Sequence, residues 1–309
     1  MAKIATRQAY GEALQKLAET NKNVVVLDAD LSKSTKTAEF KKVAPERFIN
    51  VGIAEQDLMG VAAGLSLTGK VPFASSFAMF AAGRAFEIIR NSIAYPKLNV
   101  KIAATHAGLT VGEDGASHQC LEDISLMRTI PNMVVINPCD AEEARQAVMA
   151  AAEYVGPVYL RLGRSGVEEI NNADYKFEIG KGVTLKKGDD ATIVATGIMV
   201  EKALMAADLL KEKNIDVRVI NIHTIKPIDK ELIMKAAEET KCIVTAEEHN
   251  IIGGLGSAVL EAIEENPVPV SRIGVRDTFG ESGKPADLLV KYGLTEVEIA
   301  QAIEKLLKK

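Results

Sequence analysis

The sequence of 309 residues contains no tryptophan, only three cysteines and only 5% aromatic residues. Cys120, Cys139 and Cys242 lie too far apart for a paired CxxC metal site, and an odd number does not suit a disulfide framework. We therefore expect reduced thiols that pack as small apolar groups. A chain of this length can bury a large core without such crosslinks, and it is long enough for about two domains.

Neither sign of charge is in large excess. The 37 Lys and Arg against 42 Asp and Glu give a net charge of −5, so the sequence lacks the basic surplus that nucleic acid or an anionic membrane attracts. The uncharged run 71–83 is well short of the roughly 18 residues of a membrane-spanning helix, and the N-terminus has no apolar signal core. We expect a folded cytoplasmic protein with no nucleic-acid or membrane partner.

Short apolar runs alternate with amphipathic segments through the first half of the chain. Such runs, separated by helices, indicate a parallel sheet covered by helices on both faces. The predicted strands are 24–27, 71–74, 100–105, 133–136 and 158–161, and the predicted helices include 55–67, 77–93, 121–128 and 140–153, the last capped by Asp140.

A second α/β unit follows a polar segment rich in Gly and Asn. The periodicity weakens over 162–190, which is typical of a connection between domains, with one irregular strand in it. We predict domains at 1–165 and 190–309, joined by a linker at 166–189. The second domain is predicted to contain strands at 191–196, 217–221, 242–246 and 268–273, and helices at 200–213, 229–240, 256–265 and 295–307.

Glu55 stands where a predicted strand ends and a helix begins, in the sequence Asn-Val-Gly-Ile-Ala-Glu-Gln. Ligands of parallel sheets gather at the carboxyl ends of the strands, so this carboxylate is a candidate site residue. The alternative is that it only complements the helix dipole. Similarly, Phe77 and Phe80 could form a slot for a flat ring on one helical face, or could simply belong to the core.

Two of the four histidines, His106 and His118, lie twelve residues apart in a glycine-rich loop after a predicted strand. Imidazoles can move protons or bind phosphate, and glycines let the backbone approach a ligand. The loop could also be a simple turn at Asp114 with both histidines capping backbone groups. A metal site of these three side chains fits no zinc spacing and is disfavoured. His223 and His249 have no partner pattern and are expected to be hydrogen-bonded within the fold.

Arg161 and Arg164 follow the last strand of the first domain and could clamp an anion, or could form ion pairs. Gly254 and Gly256 precede a predicted helix and superficially resemble a dinucleotide-binding loop. The third glycine and the early acidic partner of that motif are missing, so packing at the start of the helix is the favoured interpretation.

A family resemblance joins these segments. FINVGIAEQDLMGVAAG, SSFAMF, THAGLTVGEDGASHQCLEDISLMRTIPNMVVINPCD and PVYLRLGRSG together resemble the pyrimidine-binding domain of the transketolase family, and the residues after about 190 resemble its C-terminal domain. The resemblance covers essentially the whole chain. It implies thiamine diphosphate as cofactor, sugar phosphates as substrates, and transfer of a two-carbon ketol unit from a ketose phosphate to an aldose phosphate.

The resemblance also implies roles for particular residues. Glu55 matches the glutamate whose carboxyl hydrogen-bonds the aminopyrimidine ring of the cofactor and promotes proton removal from it. Phe77 and Phe80 match aromatics that hold this ring, whereas a third aromatic falls on Gly83 here, which leaves that pocket wall open or differently supplied. The remaining matches are His106 and Arg164 for the sugar phosphate, Asp114 for a hydroxyl, His118 beside the reacting carbon, and more loosely Asp30 near the cofactor and Ser34 near the substrate phosphate.

The family also needs a second half that binds the diphosphate through Mg²⁺, with Gly-Asp-Gly followed further on by Asn-Asn. No part of this chain fits that pair of motifs, since Gly188-Asp189-Asp190 precedes its strand instead of following one. The resemblance therefore implies a separate N-terminal subunit that holds Mg²⁺, and a homodimer of this chain within a heterotetramer.

Other functions stay open from the sequence. 1-Deoxy-xylulose-5-phosphate synthase shares the style of VGIAEQ but tends to carry arginine where His106 stands, and the beta chain of a 2-oxoacid dehydrogenase fits VGEDGxxHQ poorly. A non-catalytic scaffold subunit and a dinucleotide-binding oxidoreductase are the alternatives from other classes. The second domain is expected to bury subunit interface rather than to take part in chemistry.

Overall fold

A computed structural model describes residues 3–172 and 174–308 and contains two sheets flanked by helices. Its helices follow the amphipathic segments. The α-helices are Thr6–Thr20, Ser32–Thr35, Ala38–Val43, Glu55–Leu67, Phe86–Ile88, Asp123–Thr129, Ala141–Glu153, Met199–Lys211, Lys230–Glu239, Leu255–Ala262, Pro285–Lys291 and Glu296–Leu307; Pro45–Arg47 and Leu109–Asp114 are 3₁₀, and Met79–Arg84 and Ile89–Ala94 are π-helical.

The first sheet has seven strands, and six of them run parallel. Its central strands are buried along their whole length, which explains why apolar residues predominate between the polar or charged residues at their ends, such as Asp28 and Lys101. In spatial order the strands are Thr224–Lys226, Val134–Ile136, Val158–Arg161, Lys101–Thr105, Val71–Phe77, Val24–Asp28 and Phe48–Asn50.

The second sheet has five strands, in the order Val270–Val275, Ile243–Asn250, Ala191–Ala195, Val217–Asn221 and Val183–Lys186. Only the last of these, which comes from the predicted linker, is antiparallel to its neighbour. A two-stranded ribbon of Ile4–Ala5 and Gly166–Val167 completes the sheets. The predicted α/β class, with two mostly parallel sheets covered by helices, is therefore confirmed.

Two local predictions are wrong. The predicted helix 77–93 begins later, because Phe77 ends a strand and the segment then forms two π-helical turns around Phe86–Ile88. The linker contains two strands rather than one. The predicted cap on the helix Ala141–Glu153 is confirmed, since the Asp140 side chain accepts a hydrogen bond from the backbone N–H of Glu143.

The two sheets share a core. One apolar cluster runs without a break from the first sheet, with Val135 and Tyr159, to Val194, Ile220 and Leu255 around the second. Thr224–Lys226, which lies beyond the predicted linker, pairs antiparallel with Val134–Ile136 of the first sheet. The domains are therefore packed together through apolar burial and a shared sheet edge.

The three cysteines are buried and unpaired. In the part of the chain that the structure describes, every helix is too short or too polar to cross a bilayer. The predicted domain boundaries at 165 and 190 remain predictions. Residues 1, 2 and 309, at the outer ends of the two predicted domains, and residue 173 of the predicted linker lie outside the described residues.

Candidate functional site

The candidate residues converge at the carboxyl edge of the first sheet. Val24–Asp28, Val71–Phe77 and Lys101–Thr105 are neighbouring parallel strands, and Phe77 lies opposite Thr105. The segments that follow these strands therefore emerge side by side, although they are far apart in sequence. This is the edge at which parallel sheets bind ligands.

The Glu55 carboxyl is turned inward, with only 2% of its side chain exposed. It begins the helix Glu55–Leu67, as the sequence predicts. A cavity of about 370 Å³ opens beside it. A carboxylate that only complements the helix dipole can do so from the protein surface. The burial of Glu55 beside a cavity therefore needs another explanation.

Arg84 links this carboxyl to the aromatic residues. Its Nη1 donates to Oε2 of Glu55 at 2.8 Å, and its guanidinium carbon lies 4.6 Å from the centroid of the Phe80 ring. The side chain is half exposed and lines the same cavity. The pocket wall that Gly83 leaves without an aromatic ring is thus supplied by the next residue, a cation.

Phe77 and Phe80 form the predicted aromatic pair, although only Phe80 belongs to a helix. Their ring centroids are 6.1 Å apart, and their ring planes are nearly parallel. His106 stacks on Phe77 at 3.8 Å, and His118 meets the Phe80 ring edge-on at 5.3 Å. The two histidines of the glycine-rich loop are therefore assembled on the aromatic pair.

His106 is held in a defined tautomer. Its Nε2 lies 3.0 Å from Nη1 of Arg7, and its Nδ1 lies 2.9 Å from Oγ1 of Thr105. A guanidinium can only donate, so Nε2 accepts and the ring hydrogen is assigned to Nδ1. Burial, together with the nearby Arg7 and Arg164, lowers the pKa of His106 to about 3, which makes the ring neutral at physiological pH.

The positive charges of Arg7 and Arg164 beside His106 favour binding of an anion. Arg7, which contacts His106, also donates to the backbone oxygen of Ser34 at 2.9 Å, so one guanidinium links these two candidate residues. Burial lowers the pKa of Arg7, and the neighbouring charge of Arg164 lowers it further. Arg164 in turn reaches Asp114 at 3.3 Å. Two guanidinium groups that repel each other in a half-buried site would be stabilised by a phosphate or a similar anion.

Asp30 lies apart from this assembly. It is exposed, has a left-handed backbone with φ of 64°, and exchanges hydrogen bonds with Asn50. The buried acid of this segment is Asp28, whose carboxylate accepts from the hydroxyls of Thr35 and Thr37. Asp28 thus holds the short helix Ser32–Thr35, which carries Ser34, whereas Asp30 remains on the rim of the sheet edge.

Arg161 is not an anion clamp. It is 4% exposed, and its Nε lies 2.9 Å from Oδ2 of the fully buried Asp123. Its Nη2 donates to the backbone oxygens of Cys120 and Glu248. The apparent pair of arginines in the sequence is thus divided between a structural ion pair and the candidate site.

The glycine motif before Leu255 is a helix start, as favoured. The carboxylate of Glu247 accepts from the backbone N–H groups of Leu255 and Gly256 at 2.7 and 2.8 Å. A Cβ at Gly254 would overlap that carboxylate. The position that a phosphate would need is therefore filled by the protein's own acid, which argues against dinucleotide binding there.

The remaining two histidines are hydrogen-bonded within the fold, as expected. Nδ1 of His223 lies 2.9 Å from the Thr224 hydroxyl, and Nδ1 of His249 lies 2.6 Å from the backbone oxygen of Asn250. Burial lowers the pKa of each to about 4. They act as neutral polar residues.

Neither of two further possible sites gains support. Among residues 3–172 and 174–308, His, Cys, Asp and Glu form no group of three or more that could hold a metal ion, and this covers His106, Asp114 and His118. A larger hollow of about 520 Å³ lies beside the helices Thr6–Thr20 and Ala141–Glu153. Three of its charged groups already pair, Arg145 with Glu12 and Glu142, and none of the candidate residues from the sequence lines it.

Comparison with known proteins places the chain in a class. Models for the transketolase pyrimidine-binding domain and the transketolase C-terminal domain match residues 2–169 and 180–299. Together with the candidate site at the carboxyl edge of the first sheet, these matches define a chain of two α/β domains from an enzyme family. The chain belongs to the transketolase family.

Its relatives match it over nearly the whole length. It is 55% identical to the "Putative transketolase C-terminal section" of Methanocaldococcus jannaschii, over 98% of this chain and 96% of that protein. It is 43% identical to the "6-deoxy-6-sulfo-D-fructose transketolase subunit SqwH" of Clostridium sp. (strain MSTE9), over 96% and 92%. The solved structure "Split gene transketolase, inactive beta4 tetramer" aligns with a TM-score of 0.93 and 60% identity, over 99% of both chains.

Three residues at or near the site were not identified from the sequence. Arg7 lies on the first helix, far from the loop that it contacts. Arg84 directly follows Gly83, so an unusual cation beside a missing aromatic was a usable signal. Glu248 belongs to the second domain, yet its Oε1 accepts from the backbone N–H of Thr110 at 2.6 Å. Only the fold reveals that contact.

Proposed function

We propose that this chain is the C-terminal subunit of a thiamine-diphosphate-dependent transketolase, with domains at 1–165 and 190–309 and a linker at 166–189. It transfers a two-carbon ketol unit from a ketose phosphate to an aldose phosphate. The observation that carries the proposal is the buried Glu55 carboxyl, in hydrogen-bonding distance of a movable cation and next to a cavity. When bound, the cofactor supplies the carbanion chemistry that side chains cannot provide.

The residues at the sheet edge fit the aminopyrimidine ring. Glu55 offers a carboxyl for a ring nitrogen, and Phe77 and Phe80 offer aromatic surface nearby. The hydroxyl of Ser76 is buried without a hydrogen-bond partner. Arg84 stands between the acid and the rings, and its long, half-exposed side chain can turn away. Asp30, on the rim, is proposed to approach the cofactor from the open side.

The glycine-rich loop is proposed to bind the sugar phosphate. His106, Arg164 and Ser34, together with Arg7, surround one region with donors and positive charge. Asp114 would accept from a sugar hydroxyl. His118, on the edge of the Phe80 ring, would hold a proton beside the reacting carbon.

The proposed partner is an N-terminal subunit that holds Mg²⁺ and the diphosphate. Support comes from the lack of a Gly-Asp-Gly motif in this sequence, and from relatives of the same length that are named as a section or a subunit. We propose that two copies of this chain and two of the partner form a heterotetramer. The sugar in the names of the relatives differs, so the proposal assigns a ketose phosphate as a class and no particular sugar.

The test is reconstitution. The chain alone should give no ketol transfer, and mixing it with a separately expressed N-terminal transketolase section should restore transfer from a ketose phosphate to an aldose phosphate. Glu55→Gln keeps the size of the side chain but removes the acid, and should lower kcat by about 10² or more, since proton-transfer groups contribute about 10² to 10⁴.

Glu231→Gln is the matched control. Glu231 lies in the first turn of another helix, Lys230–Glu239, outside the candidate site, and it is exposed. It should change kcat by no more than about threefold. Equal losses in the two variants would reduce Glu55 to a helix-dipole residue. Full activity of Glu55→Gln, or decarboxylation of a 2-oxoacid in place of ketol transfer, would refute the proposal.

A further inference from the structure

Contacts from the second domain cover the loop that carries His106, Asp114 and His118. Gln119 Nε2 donates to the backbone oxygen of Glu281 at 2.8 Å, and the Ser282 hydroxyl donates to the backbone oxygen of Glu113 at 2.7 Å. The loop is therefore held from both sides, by the first sheet and by the second domain.

Glu248 makes the most buried of these contacts. Its side chain is 3% exposed, and Oε1 accepts from the backbone N–H of Thr110 at 2.6 Å. Its backbone oxygen accepts from Arg161 at 2.9 Å, which anchors the strand that carries it to the first domain. The carboxylate is thus fixed at its base and at its tip.

The loop backbone is shaped around this carboxylate. Gly108 has a φ of 85°, and a Cβ at that position would overlap the Glu248 carboxyl. Thr110, two residues further along the chain, directs its backbone N–H at the same Glu248 carboxyl. His106 and Asp114 flank this short stretch, so a shift at Thr110 would move both candidate substrate ligands.

We infer that Glu248 is a positioning residue, through which the second domain holds the His106–His118 loop in the geometry that binds substrate. The assignment of the loop as substrate-binding rests on the proposed function. The contact of Glu248 with Thr110 does not. The second domain, expected to bury subunit interface, thereby gains a part in the site.

Glu247 provides a matched control within the same strand. Both carboxyls are fully buried, both accept backbone N–H groups, and burial raises the pKa of each to about 7. Glu247 caps the helix Leu255–Ala262 inside the second domain, whereas Glu248 reaches the loop of the first. Shortening Glu247 therefore reports the general effect of a shortened buried acid in this strand without loss of the loop contact.

The experiment is hydrogen exchange on the full chain, which needs neither partner nor activity. Glu248→Asp keeps the charge but is one methylene too short to reach Thr110, so exchange in 106–119 should rise about tenfold, the factor that corresponds to 1.4 kcal/mol. Glu248→Gln keeps the reach and an acceptor oxygen, and should restore slow exchange. Glu247→Asp should lower the melting temperature but leave exchange in 106–119 unchanged.

Kinetics of the reconstituted enzyme give the second readout. Glu248→Asp should raise KM for the sugar phosphate more than it lowers kcat, and Glu247→Asp should change neither by more than about twofold. Equal loop exchange in Glu248→Asp and Glu247→Asp would overturn the inference, whatever the activity. If the wild-type complex gives no turnover while the exchange pattern holds, the proposed function fails and the positioning contact stands.

Discussion

The buried acid Glu143 makes a pH-dependent prediction for stability. Its carboxyl is fully buried and accepts from the Tyr175 hydroxyl at 2.6 Å, from Asn221 Nδ2 at 2.8 Å and from the backbone N–H of Cys139 at 2.7 Å. Burial outweighs these hydrogen bonds and raises the pKa of Glu143 from 4.5 to about 7. Glu143→Gln replaces it with a neutral side chain of the same shape, a mimic of the protonated acid.

The sign follows from proton binding in the two states. Between pH 4.5 and about 7 the folded chain holds the Glu143 proton while the unfolded chain has lost it, so this carboxyl makes the wild type less stable as pH rises. The difference between the pKa values in the unfolded and folded chains, at about 1.4 kcal/mol per pH unit, corresponds to about 3 kcal/mol in the free energy of unfolding. Glutamine does not titrate. The free energy of unfolding of Glu143→Gln, minus that of the wild type, should therefore rise by about 3 kcal/mol from pH 4.5 to pH 8.

The assay is urea unfolding of both chains at half-unit pH intervals. Using the difference between variants cancels the opposite contribution of the buried His106, His223 and His249, whose lowered pKa values destabilise the wild type and the variant alike in acid. Glu153→Gln, an exposed change at the end of the same helix, should give a nearly flat difference. A flat or falling difference for Glu143→Gln would show that its network favours the charged carboxylate, and would refute the reasoning.

Two further predictions concern arginines. Arg161→Leu leaves the fully buried Asp123 without its cation, and should lower the free energy of unfolding by about 3 to 5 kcal/mol in urea unfolding; a loss below about 1 kcal/mol would contradict a buried pair. Arg84→Ala removes a half-exposed cation from Glu55, so stability should change by less than about 1 kcal/mol, while calorimetric titration of the reconstituted complex with thiamine diphosphate should show up to about fivefold tighter binding. Weaker binding would mean that Arg84 supports the ring instead of yielding to it.

The parts of the fold that the sequence predicts well depend on local signals. The helix Glu55–Leu67 and the strand Val158–Arg161 have the predicted bounds, because a helical segment that ends before a glycine, or a short apolar run, is recognised from the local sequence alone. The segment after Phe77 shows the limit. Its apolar pattern suits a helix, but adjacency in the sheet extends the strand to Phe77, and the following turns widen to π-helix.

Long-range pairing accounts for most of what the sequence does not reveal. Thr224–Lys226 lies beyond the predicted linker, yet it extends the first sheet, and no local pattern assigns a strand to a sheet. Arg161 and Arg164 are near neighbours in sequence with the same chemistry. One finds the buried Asp123 and the other the partly exposed Asp114, so their roles separate only in three dimensions.

Glu247 and Glu248 are adjacent in the sequence, yet they contact different parts of the fold. Successive residues of a strand face opposite sides, so these two carboxyls diverge once the strand continues to Asn250, beyond its predicted end at 246. The sequence does not reveal that one side holds the start of a helix and the other the loop with His106. Glu247 satisfies backbone N–H groups inside the second domain, whereas the N–H that Glu248 satisfies belongs to the first, so only the burial of Glu248 depends on the packing of the two domains on each other. A pair of adjacent buried acids is therefore a sign that backbone N–H groups on both sides of a strand need an acceptor, and here one of those groups lies across the boundary between the domains.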